Sequence, residues 1–120
     1  MPIILIVDDH SAIRRLLCIT LGREHKVIEA ENGVAALDAI RLHHPKAVLL
    51  DVMMPGEMDG LQVLDAIKGN PQTKGVLVAM VTARGQVADG DEARAHGADA
   101  YFIKPFSPLQ VVTWLRSNLK

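Results

Sequence analysis

The sequence has a single cysteine, Cys18, so no internal disulfide can form, and such sparing use suits a reducing compartment. No apolar run approaches the roughly 20 residues that a helix needs to span a bilayer. The N-terminus lacks a basic region followed by a cleavable apolar segment, because the run from Ile3 to Val7 is too short. Neither sign of charge prevails. Thirteen Lys and Arg stand against 14 Asp and Glu, a formal net charge of -1, which gives no electrostatic argument for nucleic acid or an acidic membrane. There is no long repeat, low-complexity tract or linker. These absences predict a soluble, cytoplasmic protein with no membrane partner and no direct nucleic-acid binding.

What is present fits one globular domain spanning 1–120. A chain of 120 residues can bury one sizeable core and is too short for two. Its 49% hydrophobic and 22% charged residues exclude a disordered composition. Four short apolar runs dominate. Ile3 to Val7 ends at Asp8-Asp9, and Ala47 to Leu50 ends at Asp51. Val76 to Val81 ends at Thr82, and Ala100 to Ile103 ends at Lys104-Pro105. Runs that are apolar at every position suit strands of a parallel sheet covered on both faces. Val27, Ile28 and Ala30 form a less apolar strand, more like an edge.

Helical patterns separate the runs. Ser11 can cap a first helix that packs Ile13, Leu16, Leu17 and Leu21 inward, turns Arg14 and Arg15 outward and ends at Gly22. Cys18 reads as a small packing residue within it. After the Asn32-Gly33 turn, Ala36, Leu37 and Ile40 mark a second helix that Pro45 stops. Asp59 and Gln62 form a capping-box pattern for a third, with Leu61, Leu64 and Ile67 buried. A short fourth helix behind a mobile loop is expected, with Gly85 and Gly90 near its start, Asp91 and Glu92 toward its N-terminal end and Arg94 and His96 toward Gly97, an order that suits the helix dipole. Ser107, Pro108 and Gln110 open the last helix, whose inward residues are Leu109, Val112, Leu115 and Leu119. Trp114 faces either the core or a dimer partner.

Five strands alternating with five helices predict an α/β fold: a doubly wound parallel sheet with right-handed crossovers and helices on both faces. Ligands of such sheets bind beyond the carboxyl ends of the strands. Every polar run-ending residue lies at a carboxyl end, so pattern and topology name one place.

Three carboxylates, Asp8, Asp9 and Asp51, would converge there. Held close they repel, and a hard divalent ion such as Mg²⁺ relieves this without protonation. With the charge balanced, an Asp51 oxygen can act as a nucleophile and form an acyl phosphate. Phosphoryl transfer then needs positioning and charge stabilisation, to which Lys104 adds a second cation and Thr82 a hydroxyl donor. Taken singly, each residue has a plainer reading. Asp8 or Asp9 could cap the first helix, Asp51 could serve a turn, Thr82 could bond at a strand end, and Lys104 could be a solvated surface lysine. All four endings in this chain order are what structure alone seldom requires.

The whole chain resembles a response-regulator receiver domain of two-component signalling. The features that carry the resemblance are Asp8-Asp9, Asp51 with Met54-Pro55 and Asp59-Gly60, Thr82-Ala83, Gly97-Ala98-Asp99 before Tyr101, and Lys104-Pro105-Phe106. It implies a flavodoxin-like sheet of strand order 2-1-3-4-5. It also implies that Asp51 accepts a phosphoryl group from a sensor histidine kinase or a histidine phosphotransfer protein. Asp8, Asp9, Asp51 and the backbone carbonyl of Met53 would hold Mg²⁺ or Mn²⁺. Thr82 and Lys104 would contact the phosphoryl oxygens, the Lys104-Pro105 bond would be cis, and Tyr101 would turn inward as Thr82 moves. The face of the fourth helix, fifth strand and fifth helix would then change and control an output domain, a downstream protein or phosphorylation-dependent homodimerisation. The domain would catalyse only its own phosphorylation and dephosphorylation.

One departure is visible. Four residues, Gly56 to Asp59, separate Pro55 from Gly60, where the family commonly has three, and the extra residue adds Glu57, read as solvent-facing. Met53 offers no polar group to orient a hydrolytic water and Arg84 could shield the phosphoryl group, so slow self-dephosphorylation is expected, over minutes or longer. Two other readings compete with this one. A haloacid-dehalogenase-like phosphohydrolase needs a second aspartate two residues after the nucleophile, where this chain has Met53. A scaffold that is never phosphorylated has no need of Asp8, Asp9, Asp51, Thr82 and Lys104 together. No DNA-binding segment or output enzyme follows Lys120 in this sequence, which leaves a stand-alone regulator and a fragment of a longer one both open.

Overall fold

The computed structural model describes residues 2–52, 58–83, 94–104 and 106–119, with Thr82 and Ala83 described by their backbone. Among these, five strands and four helices follow one another as β1 (Ile3–Val7), α1 (Ser11–Leu21), β2 (Lys26–Ala30), α2 (Gly33–His43), β3 (Ala47–Asp51), α3 (Gly60–Lys68), β4 (Leu77–Ala83), β5 (Ala100–Lys104) and α4 (Pro108–Asn118). The sheet is parallel throughout, in the order β2-β1-β3-β4-β5, as the resemblance implies.

The unbroken apolar runs have a direct cause. Successive strand residues face opposite sides of the sheet, and both sides are covered. Leu5, Val7, Val48, Leu50, Val78 and Met80 join Ala36, Ile40, Val63, Leu64 and Ile67 on the side of α2 and α3. Ile4, Ile6, Ala47, Leu49 and Ala79 join Leu17, Leu21, Val111, Val112 and Leu115 on the side of α1 and α4. The less apolar β2 is an edge strand, as expected.

Two of the three expected caps form, one does not, and Asn32, read from the sequence as a turn residue, caps α2. Asn32 Oδ1 accepts from the Ala35 amide at 2.9 Å. Asp59 with Gln62, and Ser107 with Gln110, both form capping boxes. At α1, however, Ser11 is the first helical residue and His10 holds the cap position without a side-chain cap bond. The Asp8 carboxylate takes the His10 amide instead, at 2.8 Å, which draws the turn toward β1 and displaces the hydroxyl from the capping role.

Other differences concern which face of a helix finds a neighbour. Leu16 and Leu109 fit the helical period but are 52% and 69% exposed. Val63 and Val111 fill the core positions nearest the sheet, and Leu61 is half-buried. Trp114 packs its edge against Phe102, ring centroids 6.2 Å apart, so it faces the core. β4 runs on to Ala83, beyond the expected end at Val81. Of the expected fourth helix, Arg94 and Ala95 are helical, and a turn follows at His96 and Gly97. Gly85, Gly90, Asp91 and Glu92 lie outside the described residues.

Candidate functional site

The carboxyl ends of β1, β3 and β5 meet at one rim of the sheet. The register aligns Val7 with Leu50, Asp51 with Val81, and Ala83 with Lys104. Asp51 is the last residue of β3 and is 4% exposed. Its backbone is held from behind by α3. A Cβ on Gly60 would stand 2.2 Å from the Asp51 carbonyl oxygen and 2.7 Å from Val52 Cα. Only glycine lets the helix start so close to the strand end. The Gly60 amide donates to the Val52 carbonyl at 3.0 Å, which fastens the approach.

Asp8 follows β1 and is 3% exposed, whereas Asp9 is exposed. Lys104 ends β5 and reaches back across the rim. Its Nζ lies 3.3 Å from Asp8 Oδ2 and 3.3 Å from Asp51 Oδ2. A buried carboxylate is costly unless paired or hydrogen-bonded, and this ammonium serves two of them. The predicted residues Asp8, Asp9, Asp51 and Lys104 are therefore together.

Two residues at the rim were not anticipated. His10 Nδ1 lies 3.1 Å from Asp8 Oδ1 and 3.1 Å from Asp9 Oδ1. Arg14, expected to face outward, is folded against the sheet. Its Nη1 donates to the Asp8 carbonyl at 2.7 Å and its Nε to Glu29 Oε1 at 3.1 Å. The nearness of β2 gives it a partner that a helical wheel does not show. Arg14 thus braces the backbone that presents Asp8 and Asp9.

Thr82 lies on β4 opposite Ile103, through its backbone. Tyr101 is half-buried on β5 against the core, and the Arg94 guanidinium carbon stands 4.2 Å from its ring centroid. Met53, Arg84 and Pro105, with Met54 to Glu57, lie outside the described residues. So do the Thr82 hydroxyl, the carbonyl ligand at Met53 and the cis bond before Pro105.

The chain matches the family "Response regulator receiver domain" over residues 4–116. It belongs to that family. The receiver is 42% identical over 118 residues to "Transcriptional regulatory protein SrrA" of Staphylococcus aureus (strain NCTC 8325 / PS 47), a match covering 98% of this chain and 47% of the relative. The chain therefore spans about half the length of the curated relatives it matches. Among solved structures it superposes on the receiver domain of NtrX from Brucella abortus with a TM-score of 0.88, at 32% identity and 95% coverage of each chain. It also superposes on the Vibrio cholerae chemotaxis protein CheY4 with a TM-score of 0.89, at 29% identity and 99% coverage of each chain. The fold is that of flavodoxin-like, phosphoryl-accepting signalling switches, a signalling domain rather than a conventional enzyme.

The donor set suits the divalent ion that receivers generally bind at their acidic pocket. Ligand atoms of Asp8, Asp9, His10 and Asp51 all lie within 4.8 Å of one another. Carboxylate oxygens at that spacing are the ligands a hard cation takes. No helix among the described residues is long and apolar enough to cross a membrane.

Proposed function

We propose that residues 1–120 form a single receiver domain whose phosphoacceptor is Asp51. The observation that carries this reading is the Lys104 ammonium held 3.3 Å from the carboxylates of both Asp8 and Asp51 at the carboxyl rim of the sheet. An Asp51 oxygen attacks the phosphorus of a phosphohistidine on a sensor kinase or histidine phosphotransfer protein. The new P–O bond forms as the P–N bond breaks, and the departing imidazole keeps the electron pair and takes up a proton. Asp8, Asp9, Asp51 and the Met53 carbonyl would hold Mg²⁺ or Mn²⁺, which supplies charge neutralisation for the carboxylates and the incoming phosphoryl oxygens.

The phosphoryl group brings about -1.5 to -2 charges and strong acceptor oxygens to the rim. Lys104 leaves the carboxylates for one of those oxygens, and the Thr82 hydroxyl donates to another. Tyr101 then turns toward the vacated space and reshapes the face of β5, α4 and the segment before β5. That face is read by an output domain, a downstream protein or a second copy of the chain. The name of the Staphylococcus aureus relative supports transcription control as the output of a longer regulator, acting in the cytoplasm.

The test is incubation with a small acyl phosphate and Mg²⁺, wild type beside Asp51→Asn, read by intact mass. One stable phosphate on the wild type alone supports the reading. Multiple turnover would indicate a hydrolase, and no labelling a scaffold. The label should persist for minutes or longer without a phosphatase, as expected from the apolar Met53 side chain. Comparing the oligomeric state with and without a phosphoryl mimic tests the homodimer.

A further inference from the structure

His10 belongs to the acidic cluster by geometry, and nothing in the phosphorylation chemistry above uses it. Its Nδ1 sits 3.1 Å from an oxygen of Asp8 and 3.1 Å from an oxygen of Asp9. It is one of the four residues whose ligand atoms lie within 4.8 Å of one another, with Asp8, Asp9 and Asp51. Metal–ligand distances of roughly 2.0–2.3 Å place opposed ligands about 4–4.6 Å apart. The cluster therefore stands near coordination spacing with the imidazole included. The ring is aimed at the carboxylates while its side chain is 62% exposed, so it can rotate about them without disturbing the core.

We propose that His10 is a nitrogen ligand of the divalent-metal site, which adds affinity for first-row transition ions such as Co²⁺, Ni²⁺ or Zn²⁺ while leaving that for Mg²⁺ nearly unchanged. This rests on the acidic rim being the metal site of the proposed function. Three carboxylates alone form an all-oxygen site of the kind that suits Mg²⁺, which keeps several waters and takes oxygen ligands. Imidazole suits Zn, Cu, Fe and Ni. Adding one ring nitrogen changes the site from hard to mixed, and the benefit falls on the transition ions. The neighbouring Asp8 carboxylate is already fixed by the His10 amide at 2.8 Å and by Lys104 at 3.3 Å. One short turn thus presents both an oxygen and a nitrogen donor.

The test uses the untagged 120-residue chain at one neutral pH, titrated separately with Mg²⁺ and Co²⁺ by calorimetry. The d–d absorption of bound Co²⁺ and the paramagnetic broadening of histidine ring resonances are followed in parallel. Transition ions bind carboxylates more tightly than Mg²⁺ even without a nitrogen, so the decisive quantity is the effect of His10→Gln on each ion. The expected result is a loss of about tenfold or more in Co²⁺ affinity, against a change within about twofold for Mg²⁺. His10 should be broadened ahead of His43 and His44. Equal losses for both ions, no loss for either, or broadening confined to His43 and His44 would overturn the ligand role while leaving the metal site intact. A wild type that binds neither ion would overturn the metal site itself, and with it this inference.

Discussion

The Nζ of Lys104 lies 3.3 Å from Oδ2 of Asp51, between the last residues of two strands that do not pair with each other. The same nitrogen lies 3.3 Å from Asp8 Oδ2. Before any phosphoryl group arrives, the lysine balances charge on two carboxylates that are 3% and 4% exposed. In the proposed reaction it is then drawn to a stronger acceptor. One side chain therefore connects the resting site to the occupied one.

Replacing Lys104 by Met removes that ammonium and leaves two buried carboxylates facing each other. Breaking a buried pair by deleting one partner costs about 3–5 kcal/mol. With the Lys104 side chain 21% exposed, partial solvation reduces the expected loss to about 1–3 kcal/mol. Urea unfolding without divalent ions should show this loss. Millimolar Mg²⁺ should restore most of it, because a divalent ion can take over the charge balance. A loss of the same size with and without Mg²⁺ would mean that the lysine acts by packing.

Gly60→Ala tests the support behind the acceptor. The added Cβ would stand 2.2 Å from the Asp51 carbonyl oxygen and 2.7 Å from Val52 Cα, both backbone atoms that cannot swing aside. Either α3 or the end of β3 must shift. Overpacking of this kind costs about 1–3 kcal/mol, and the upper half of that range is expected because no flexible side chain can yield. Labelling by a small acyl phosphate should slow at the same time, since the shift moves the strand end that carries Asp51. Unchanged unfolding and labelling would show that the helix start relaxes freely.

The rim was legible in the sequence because each strand there stops abruptly at a polar residue. Burial on both sheet faces makes Ile3–Val7 and Ala47–Leu50 wholly apolar, so the first charge after them marks the edge. His10 and Arg14 were not legible for the opposite reason. Arg14 meets Glu29 only because the neighbouring strand brings it near, and the aim of the His10 ring at Asp8 and Asp9 is set by the local turn, which hydropathy patterning does not show. Leu16 and Leu109 failed on a related point. Helical period identifies an apolar stripe, but the position of the sheet and of the facing helix decides which part of it is covered, and Val63 and Val111 took the nearest places.

Arg94 and Tyr101 make a second testable pair. The guanidinium carbon sits 4.2 Å from the ring centroid, and such a contact at an exposed site is worth about 0.5–1 kcal/mol. In the proposed switch, this contact would favour the resting orientation of the ring. Arg94→Ala should therefore cost less than about 1 kcal/mol of stability. It should still move the Tyr101 ring resonances of the unphosphorylated protein toward their phosphorylated positions. Arg94→Lys, which keeps a cation, should move them less. Identical ring resonances in all three proteins would show that the contact does not hold the tyrosine.

Cys18, on α1, provides a pH test. Burial in α1, and secondarily the Glu29 carboxylate beside it, raises the thiol above its ordinary range. The folded state therefore keeps the proton to higher pH than the unfolded chain does. The linked stability is fully present below the unfolded thiol's pKa and is lost as pH rises through the folded value. Urea midpoints should thus decline on the alkaline side, and Cys18→Ser should flatten that decline. Thiolate is the reactive species, so alkylation of the folded protein at mildly alkaline pH should be slower than that of the unfolded chain. Glu29→Gln should speed it by removing the neighbouring negative charge. Faster alkylation in the folded state would mean that a nearby cation, such as Arg14, governs the thiol in place of burial.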